Sequence, residues 1–474
     1  MKNIAKNFFY QTIFQLAKII MPVITVPIVS NALGPEGIGL YNYTQSIAKY
    51  FMLFAGLGIT LYGNRAIALA WNKKQDISKT FWEIFFLKAF STIIILFIYF
   101  VVVFLFFENK MFYIVQSLII FAVFFDISWF FMGIEDFKKT SMSNLAVQVV
   151  TFLLILFFIN DKDDTLLYTI IQVSGTFFSQ LSVWLFVWKH IKFKRVAIKD
   201  SLLHFKGSVM YFFPKVAIML YTNLNKTLLG VIVGSTAVGY YTNSLQLNDI
   251  FITIITTLDV VLLPYMSGLF ARESTGRIVQ LMNTTIHLQL FFSISIMFGM
   301  LTVFDKLVPW FFGEKFLFVN NVIPWIVILI VIKPLGMSIS RQYLMPIGKI
   351  GEYNKSVIIG AVINILTNLI LLPTIGFWGV VISTISAEFF VTFVRTISFL
   401  KTTDFNFDLR KIGRYLFSGL IMCLVTRFVT RNMSASAVTN IIQVLLAVPI
   451  YFGLTIILRV NPILDYIKER KKQL

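Results

Sequence analysis

Residues 93–107 read IIILFIYFVVVFLFF, and this uncharged stretch decides the class of fold to which the chain belongs. It completes an apolar segment that begins near residue 82, and a helix needs roughly 20 mostly apolar residues to cross a bilayer. The rest of the chain has the same character: of 474 residues, 58% are hydrophobic, 13% are charged and 51 are phenylalanine. Such a composition is typical of a polytopic membrane protein and argues strongly against a soluble domain.

Segments of similar length recur along the chain between short polar hinges, and fourteen can be placed. They lie at about 8–32, 38–62, 82–107, 111–133, 141–160, 165–188, 209–233, 237–266, 281–304, 319–345, 355–373, 376–400, 411–430 and 436–459. We therefore predict an all-α polytopic membrane protein of about 14 transmembrane helices. Two six-helix bundles, related by a pseudo-two-fold axis along the membrane normal, would be followed by two C-terminal helices.

A basic segment and a short repeat predict the boundary between the two bundles. The longest basic connection, 189–206, follows the sixth apolar segment. Leu33–Tyr41 and Val233–Tyr241 align two glycines and a tyrosine at a constant offset of 200 residues, although simple turn chemistry would explain the same match. The predicted domains are an N-terminal lobe at 1–190, a basic cytoplasmic linker at 191–208, a C-terminal lobe at 209–402, and two added helices with a basic tail at 403–474.

The net charge of +19 is best explained by membrane topology. Cytoplasmic loops carry an excess of lysine and arginine, and most of these residues gather in alternate connections. The intervening connections hold only Lys110, Lys162, Lys306, Lys315 and Arg431. We predict that both termini are cytoplasmic. Nucleic acid is a weak explanation of the charge, so no nucleic-acid partner is expected.

The sequence contains no recognisable catalytic or metal-binding constellation. Its one cysteine, Cys423, lies in an apolar segment and can form neither a disulfide nor a cysteine metal site within one chain. The three histidines, His190, His204 and His287, have no acidic residue four positions later. A phosphate-binding glycine loop with its lysine is also missing. We therefore expect neither catalytic residues, nor a metal, nor an enzyme.

Cationic residues inside the apolar segments predict an anionic ligand, because an unpaired charge at bilayer depth costs several kcal/mol. These residues are Lys18, Lys49, Lys215, Lys226, Lys333, Arg341 and Arg395. A flexible ammonium group meets phosphate oxygens without demanding one geometry, which suits a diphosphate that must be released again. The alternatives are snorkelling to the head groups and pairing with a carboxylate, as Arg395 could pair with Glu388.

Polar residues at helical spacing accompany the lysines and would line the same cavity. They are Gln11, Gln15, Asn42, Gln45 and Thr222. Carboxylates at membrane depth are candidates for coupling to a Na⁺ or H⁺ gradient or to the membrane potential, and salt bridges to the lysines are an equal alternative. These carboxylates are Asp126, Asp249, Asp259 and Glu388. No other cofactor is expected.

Several runs of residues carry a resemblance to a known family. In the first half they are Ile24–Pro27 continuing to Leu33–Tyr41, Gly58–Arg65 and Asp126–Glu135, and in the second half Phe213–Lys215, Asn225–Lys226 and Val238–Tyr241. In these runs, and over nearly its whole length, the chain resembles the Wzx-type oligosaccharide repeat-unit flippases. That family belongs to the multidrug/oligosaccharidyl-lipid/polysaccharide exporter superfamily.

The resemblance implies a two-lobed bundle with a central cationic cavity in the bacterial cytoplasmic membrane. Such proteins carry undecaprenyl-pyrophosphate-linked oligosaccharides from the cytoplasmic to the outer leaflet by alternating access, for capsule, O-antigen or wall polysaccharide. Membrane lipids, a polysaccharide polymerase and a chain-length regulator are the partners that it implies. The alternatives are a drug or metabolite antiporter of the same superfamily, which would favour cavity carboxylates, and a membrane polymerase or ligase, which would need an external reactive site.

Overall fold

The computed structural model describes residues 2–74, 76–271 and 275–464. Within this part of the chain the regular elements are all helices and no strand occurs, which confirms the all-α class. The chain divides into two compact units, Met1–Gly239 and Tyr240–Leu474. The boundaries of the four domains predicted from the sequence are not tested by this division and stay a prediction.

In its described residues the first unit contains nine helices and the first residues of a tenth. The nine are α1 (Lys2–Gly56), α2 (Ile59–Asn72), α3 (Ile77–Phe106), α4 (Lys110–Phe125), α5 (Ser128–Gly133), α6 (Phe137–Phe158), α7 (Thr165–Ser182), α8 (Trp184–Val187) and α9 (Ile198–Ile232). A short 3₁₀ turn, Lys162–Asp164, precedes α7. α1 contains two of the predicted segments. They are separated by a kink at Gly34, whose φ of 67° is outside the helical region.

Over the part of it that the structure describes, the second unit contains most of α10 and seven further helices. These are α10 (Ser235–Ala271), α11 (Thr275–Phe311), α12 (Val319–Ile326), α13 (Leu329–Ser338), α14 (Ile350–Ile375), α15 (Phe377–Leu400), α16 (Leu409–Thr430) and α17 (Ala437–Ile457). A 3₁₀ turn, Glu314–Phe316, precedes α12, and a π-helical segment, Ile339–Leu344, continues α13. Such π segments are rare and often occur at functional sites.

Eleven helices in the described residues are long and apolar enough to cross a membrane. They make the protein a multi-pass membrane protein. One of the eleven, Met21–Asn72, covers two of the predicted segments. The rest of the difference from the fourteen predicted segments is due to α9 and α10, which are not among the eleven. These helices are 35 and 37 residues long and carry polar residues along their length.

The two glycine turns of the sequence repeat meet each other inside the first unit. Gly34 and Gly234 both have positive φ angles, 67° and 111°, which favour glycine. A Cβ on Gly39 would overlap the carbonyl oxygen of Ser235, and a Cβ on Gly239 would overlap that of Pro35. The contact is therefore reciprocal between equivalent positions of the repeat. The pseudo-two-fold axis for the whole bundle stays a prediction.

An aromatic core in the first unit holds the junction between α4 and α5. Trp129 is fully buried and stacks on Phe81 with 5.3 Å between ring centroids. A Cβ on Gly63 would lie 2.7 Å from the Trp129 ring, so only glycine allows this close approach. The Trp129 indole nitrogen donates to the carbonyl oxygen of Asp126 at 3.1 Å. The core thereby determines where the helix breaks and where Asp126 lies.

Candidate functional site: cationic faces in each unit

A cavity of about 310 Å³ lies inside the first unit, between α1, α4 and α9. Its wall is mostly apolar, and its polar groups come from Lys215 and Thr222 of α9, Thr60 of α2, and Asp126 at the α4–α5 break. The remaining lining residues are Met52, Leu53, Gly56, Gly58, Val123, Ile218 and Met219. The cavity thus brings Lys215 and Thr222 together, and their role in binding a substrate stays a prediction.

Asp126 is an ion-pair partner of a lysine that the sequence analysis did not single out. Lys88 of α3 is 1% exposed, and its Nζ donates to the Asp126 carboxylate at 2.8 Å and to the Asp126 carbonyl oxygen at 2.6 Å. The amide and hydroxyl of Ser128 donate to the other carboxylate oxygen. The charge of Lys215 interacts with both Asp126 and Lys88. Because Asp126 already forms an ion pair with Lys88, the three groups together carry one net positive charge.

Two further lysines, Lys49 of α1 and Lys226 of α9, lie one turn beyond residues that line the cavity. Lys49 precedes Met52 by three residues on α1, and Lys226 follows Thr222 by four residues on α9, so each lies on the face that lines the cavity. The charges of Lys49 and Lys226 act on each other. Lys49 forms no ion pair with a carboxylate in the part of the chain that the structure describes.

Hydrogen bonds join α1 and α9, and one of them holds Lys226 against α1. Lys226 Nζ donates to the Asn42 side-chain oxygen at 3.4 Å, and Asn223 donates to the carbonyl oxygen of Ser46 at 2.7 Å. The hydroxyls of Ser46 and Thr227 are 2.8 Å apart. Buried polar contacts of this kind carry much of the association between helices in a membrane. They bring two like charges together within a mostly apolar protein.

In the second unit, Lys333 of α13 is neutralised by two carboxylates. Its Nζ is 3.3 Å from Glu388 of α15 and 3.5 Å from Asp249 of α10. Glu388 therefore pairs with Lys333 and not with Arg395, the pairing that the sequence left open. One lysine between two carboxylates carries an excess of negative charge, in contrast to the lysines of the first unit.

Arg395 is 7% exposed and is used for packing within the second unit. Its guanidinium donates to the Ser356 hydroxyl at 2.9 Å and to the Gly336 carbonyl oxygen at 3.1 Å. The same group lies over the Tyr353 ring, 4.9 Å from its centroid. These contacts join α13, α14 and α15. Its role in binding a ligand stays a prediction.

Asp259 of α10 is the centre of a buried polar network beside the π-helical segment. Its Oδ1 accepts hydrogen bonds from the amides of Gln289 at 2.7 Å and Gln342 at 2.6 Å, and from the Ser338 hydroxyl at 3.0 Å. Its Oδ2 is buried and has no hydrogen-bond partner among the described residues. The charge of Arg341, also predicted as a cavity residue, acts on this carboxylate. The sequence suggested Asp259 and Arg341 but not Gln289, Gln342 and Ser338.

The remaining predicted residues have diverse surroundings. Gln45 donates to the Tyr41 hydroxyl, and the Thr222 hydroxyl donates to the carbonyl oxygen of Ile218 in its own helix. The side chains of Gln11, Gln15 and Lys18 lie outside the described residues. Lys88 was missed, although a lysine within an apolar segment was a signal that the sequence contained.

The polysaccharide biosynthesis protein family matches residues 4–270, more than half of the chain. The chain belongs to this family. A relative in Escherichia coli (strain K12), named "Putative O-antigen transporter", is 26% identical over 251 residues, which are 50% of this chain and 59% of the relative. A protein of the same name in Shigella dysenteriae is 22% identical over 393 residues, 81% of this chain and 96% of that protein. These similarities confirm the family resemblance read from the sequence motifs.

Solved structures share the fold across most of the chain. The structure titled "Lipid II flippase MurJ, inward closed conformation" aligns with a TM-score of 0.75, 15% identity, and coverage of 95% of this chain and 99% of that one. An inward-facing multidrug resistance MATE family transporter of the MOP superfamily aligns with a TM-score of 0.61 and 15% identity, over 82% of this chain and 99% of that one. At these identities the similarity establishes the fold alone.

Proposed function

We propose that this protein is a flippase for lipid-linked oligosaccharides. Its substrate would be an undecaprenyl-pyrophosphate-linked repeat unit, moved from the cytoplasmic to the outer leaflet of the bacterial cytoplasmic membrane by alternating access. The family membership and the names of the relatives support the polysaccharide pathway. The protein would act as a transporter without catalytic residues, and a polymerase and a chain-length regulator would use its product.

The observation that carries the proposal is the placement of Lys226 against α1, where its charge acts on Lys49. Two like charges that repel each other in an apolar surrounding are costly, and an anion between them would offset that cost. A diphosphate presents several oxygens at short spacing, so both ammonium groups can bind it at once. Lys215, about three turns from Lys226 on the same helix, would extend the cationic face toward the cavity.

A drug or metabolite antiporter of the same superfamily is the second candidate. The observation in its favour is the Lys333 group, where Asp249 and Glu388 together exceed the charge of the lysine. An organic cation could bind there by displacing the Lys333 ammonium. The first unit, with its excess of lysine, favours the flippase.

The proposed function is tested by measuring where the lipid-linked sugars are in cells that lack the gene. We expect complete undecaprenyl-pyrophosphate oligosaccharides to accumulate, as quantified by mass spectrometry. They should remain inaccessible to an impermeant glycosidase or lectin added to intact spheroplasts. Units that accumulate but are accessible would place the block after translocation and favour a polymerase. Truncated or unchanged units would contradict a flippase in that pathway.

The cationic site is tested by complementing the same cells with variants. Lys49→Ala together with Lys226→Ala should reduce export of the polysaccharide at least tenfold at normal protein abundance. Lys49→Arg with Lys226→Arg keeps the charges and should retain much of the export. The matched control is Lys73→Ala with Lys199→Ala, two exposed lysines, one just after α2 and one in the first turn of α9. Wild-type export by the alanine pair would reject the diphosphate site while leaving the flippase itself open.

Coupling to an ion gradient is part of the proposal and is assigned to Asp259. A fully buried carboxylate with one unpartnered oxygen is costly as an anion, and a proton on Oδ2 would remove the charge. The hydrogen bonds that Oδ1 accepts from Gln342, Gln289 and Ser338 act in the opposite direction, and the charge of Arg341 adds to them. Burial favours the protonated carboxyl group, whereas the hydrogen bonds and Arg341 favour the carboxylate. A conformational change that alters this balance would make Asp259 bind or release a proton. Asp249 and Glu388 are less suited because each is already paired with Lys333.

A further inference from the structure

A second cavity, of about 660 Å³, lies in the second unit, where α14 begins and α15 ends. Its polar lining comes from Lys349, Gly351, Glu352, Lys355, Ser398, Lys401 and Thr402, and its apolar lining from Ile359, Val394 and Ile397. No residue of the proposed flippase site contributes to it.

The charge in this cavity is strongly positive. Three lysines, Lys349, Lys355 and Lys401, face one carboxylate, that of Glu352. None of the three forms an ion pair with a carboxylate in the described part of the chain. Lys349 and Lys355 flank the first turn of α14, whose free backbone N–H groups add positive potential. The cavity therefore favours a ligand with at least one full negative charge.

The apolar wall of the cavity continues into the exposed surface of the same helices. Ile358 and Val362 of α14 are 53% and 48% exposed, and Phe393 of α15 is 47% exposed. In a protein that spans a membrane, such a surface is covered by acyl chains. The lysines lie at the ends of these helices, where lipid head groups begin. A ligand that reaches both regions must be amphipathic.

We propose that this cavity binds the phosphate head group of an anionic membrane lipid. The three ammonium groups would hold the phosphate, and an acyl chain would follow Ile359, Val394 and Ile397 along the wall. Basic pockets between transmembrane helices on the cytoplasmic side bind such head groups. The basic connections predicted to be cytoplasmic include Lys349, Lys355 and Lys401, so the lipid would come from the inner leaflet. This site is separate from transport of the lipid-linked sugar.

Native mass spectrometry of the purified, detergent-solubilised full chain tests the proposal. We expect bound phosphatidylglycerol on the wild type at concentrations where phosphatidylethanolamine does not bind. The triple variant Lys349→Gln, Lys355→Gln, Lys401→Gln should weaken phosphatidylglycerol binding by at least roughly tenfold, given the contribution of each basic residue near a lipid surface. The control Lys73→Gln, Lys189→Gln, Lys199→Gln changes the net charge equally and should bind as the wild type does.

A steric variant tests the same site without changing its charge. A Cβ on Gly351 would meet no atom within 4 Å, so Gly351→Leu should fill the cavity and leave the helix intact. The matched control is Gly413→Leu in α16, where a Cβ also meets open space. Gly351→Leu should lose phosphatidylglycerol binding and the control should keep it. Thermal unfolding of each variant in detergent verifies that it is folded.

The outcomes separate the lipid from other ligands and from the transport function. Equal binding of the two lipids to the wild type, or undiminished binding to the folded Gly351→Leu and triple-glutamine variants, would overturn the proposal. Displacement of phosphatidylglycerol by millimolar inorganic phosphate would assign the cavity to free phosphate instead. Because the measurement needs no transport, it stands whether or not the flippase assignment holds.

Discussion

Lysines of equal charge acquire different roles from their neighbours. Lys88 and Lys333 are both in apolar helices, but each is paired with carboxylates at 2.8–3.5 Å. Lys49 instead lies where the charge of a second lysine, Lys226, acts on it. Ion pairs with carboxylates satisfy Lys88 and Lys333 within the protein, whereas Lys49 and Lys226 are the residues that we propose to bind the diphosphate. The roles of these lysines therefore depend on the groups packed around them.

At this scale, Asp259→Asn tests ion coupling. The amide keeps an acceptor for Gln289, Gln342 and Ser338 but cannot bind or release a proton. We expect normal abundance and export that no longer responds to an imposed pH gradient, measured in spheroplasts. Asp249→Asn, which changes a carboxylate with a different partner, should keep the gradient response. If Asp259→Asn responds to the gradient as the wild type does, coupling through this residue is excluded.

His190, which follows α8 outside the predicted spans, gives a pH-dependent contribution to stability. Burial and the adjacent Lys139 lower its pKa below the ordinary value, while Asp136 opposes this shift. Lys139 Nζ donates to His190 Nε2 at 2.9 Å, which requires the neutral imidazole. The unfolded chain thus binds more protons than the folded one just below the ordinary pKa, so stability rises with pH and falls as the pH decreases through about 6.5.

The corresponding measurement is thermal unfolding of the purified protein between pH 7.5 and 5.5. We expect His190→Gln to reduce the loss of Tm over this interval, because the glutamine does not titrate. The comparison is His204→Gln, which replaces another histidine of the basic segment 189–206. An unchanged pH dependence in His190→Gln would show that another group is responsible.

At the scale of elements, the long helices are interrupted next to the polar residues of the candidate sites. α4 ends at Phe125, and the break after it turns the Asp126 carboxylate toward Lys88, next to the cavity. α13 continues into a π-helical segment that carries Gln342 toward Asp259. The glycine turns at Gly34 and Gly234 allow backbone segments to cross closely. These irregularities place polar groups within elements that would otherwise be uniformly apolar.

The glycine crossing predicts a strong and selective effect on stability. Gly39→Val and Gly239→Val place a side chain against the backbone of the opposite turn, which cannot move aside as a flexible side chain can. We expect each variant to lower Tm by at least about 10 °C or to prevent folding, judged by detergent thermal unfolding and gel filtration. Gly299→Val in α11, where a Cβ meets open space, is the control. A normal Tm for both crossing variants would contradict the close contact.

At the scale of the whole molecule, the basic residues predict how the chain crosses the membrane. The single cysteine, Cys423, is buried, so Cys423→Ser provides a background for labelling. New cysteines at Lys73 and Lys189 should react only after permeabilisation of spheroplasts, and those at Asp163 and Glu314 should react in intact spheroplasts with an impermeant maleimide. The reverse pattern would invert the topology, and with it the leaflet assigned to the lipid cavity.

The sequence by itself determined the class of fold, the approximate positions of the spanning helices and the family. Those properties depend on local hydrophobicity and on short turn motifs such as Gly34–Tyr41 and Gly234–Tyr241, which need no knowledge of partners. Only the tertiary structure decided that Asp126 belongs to Lys88, that Glu388 belongs to Lys333, and that Gln289 and Gln342 surround Asp259. Helical periodicity gives the face of a residue, whereas the energy of a buried charge depends on the helix packed opposite.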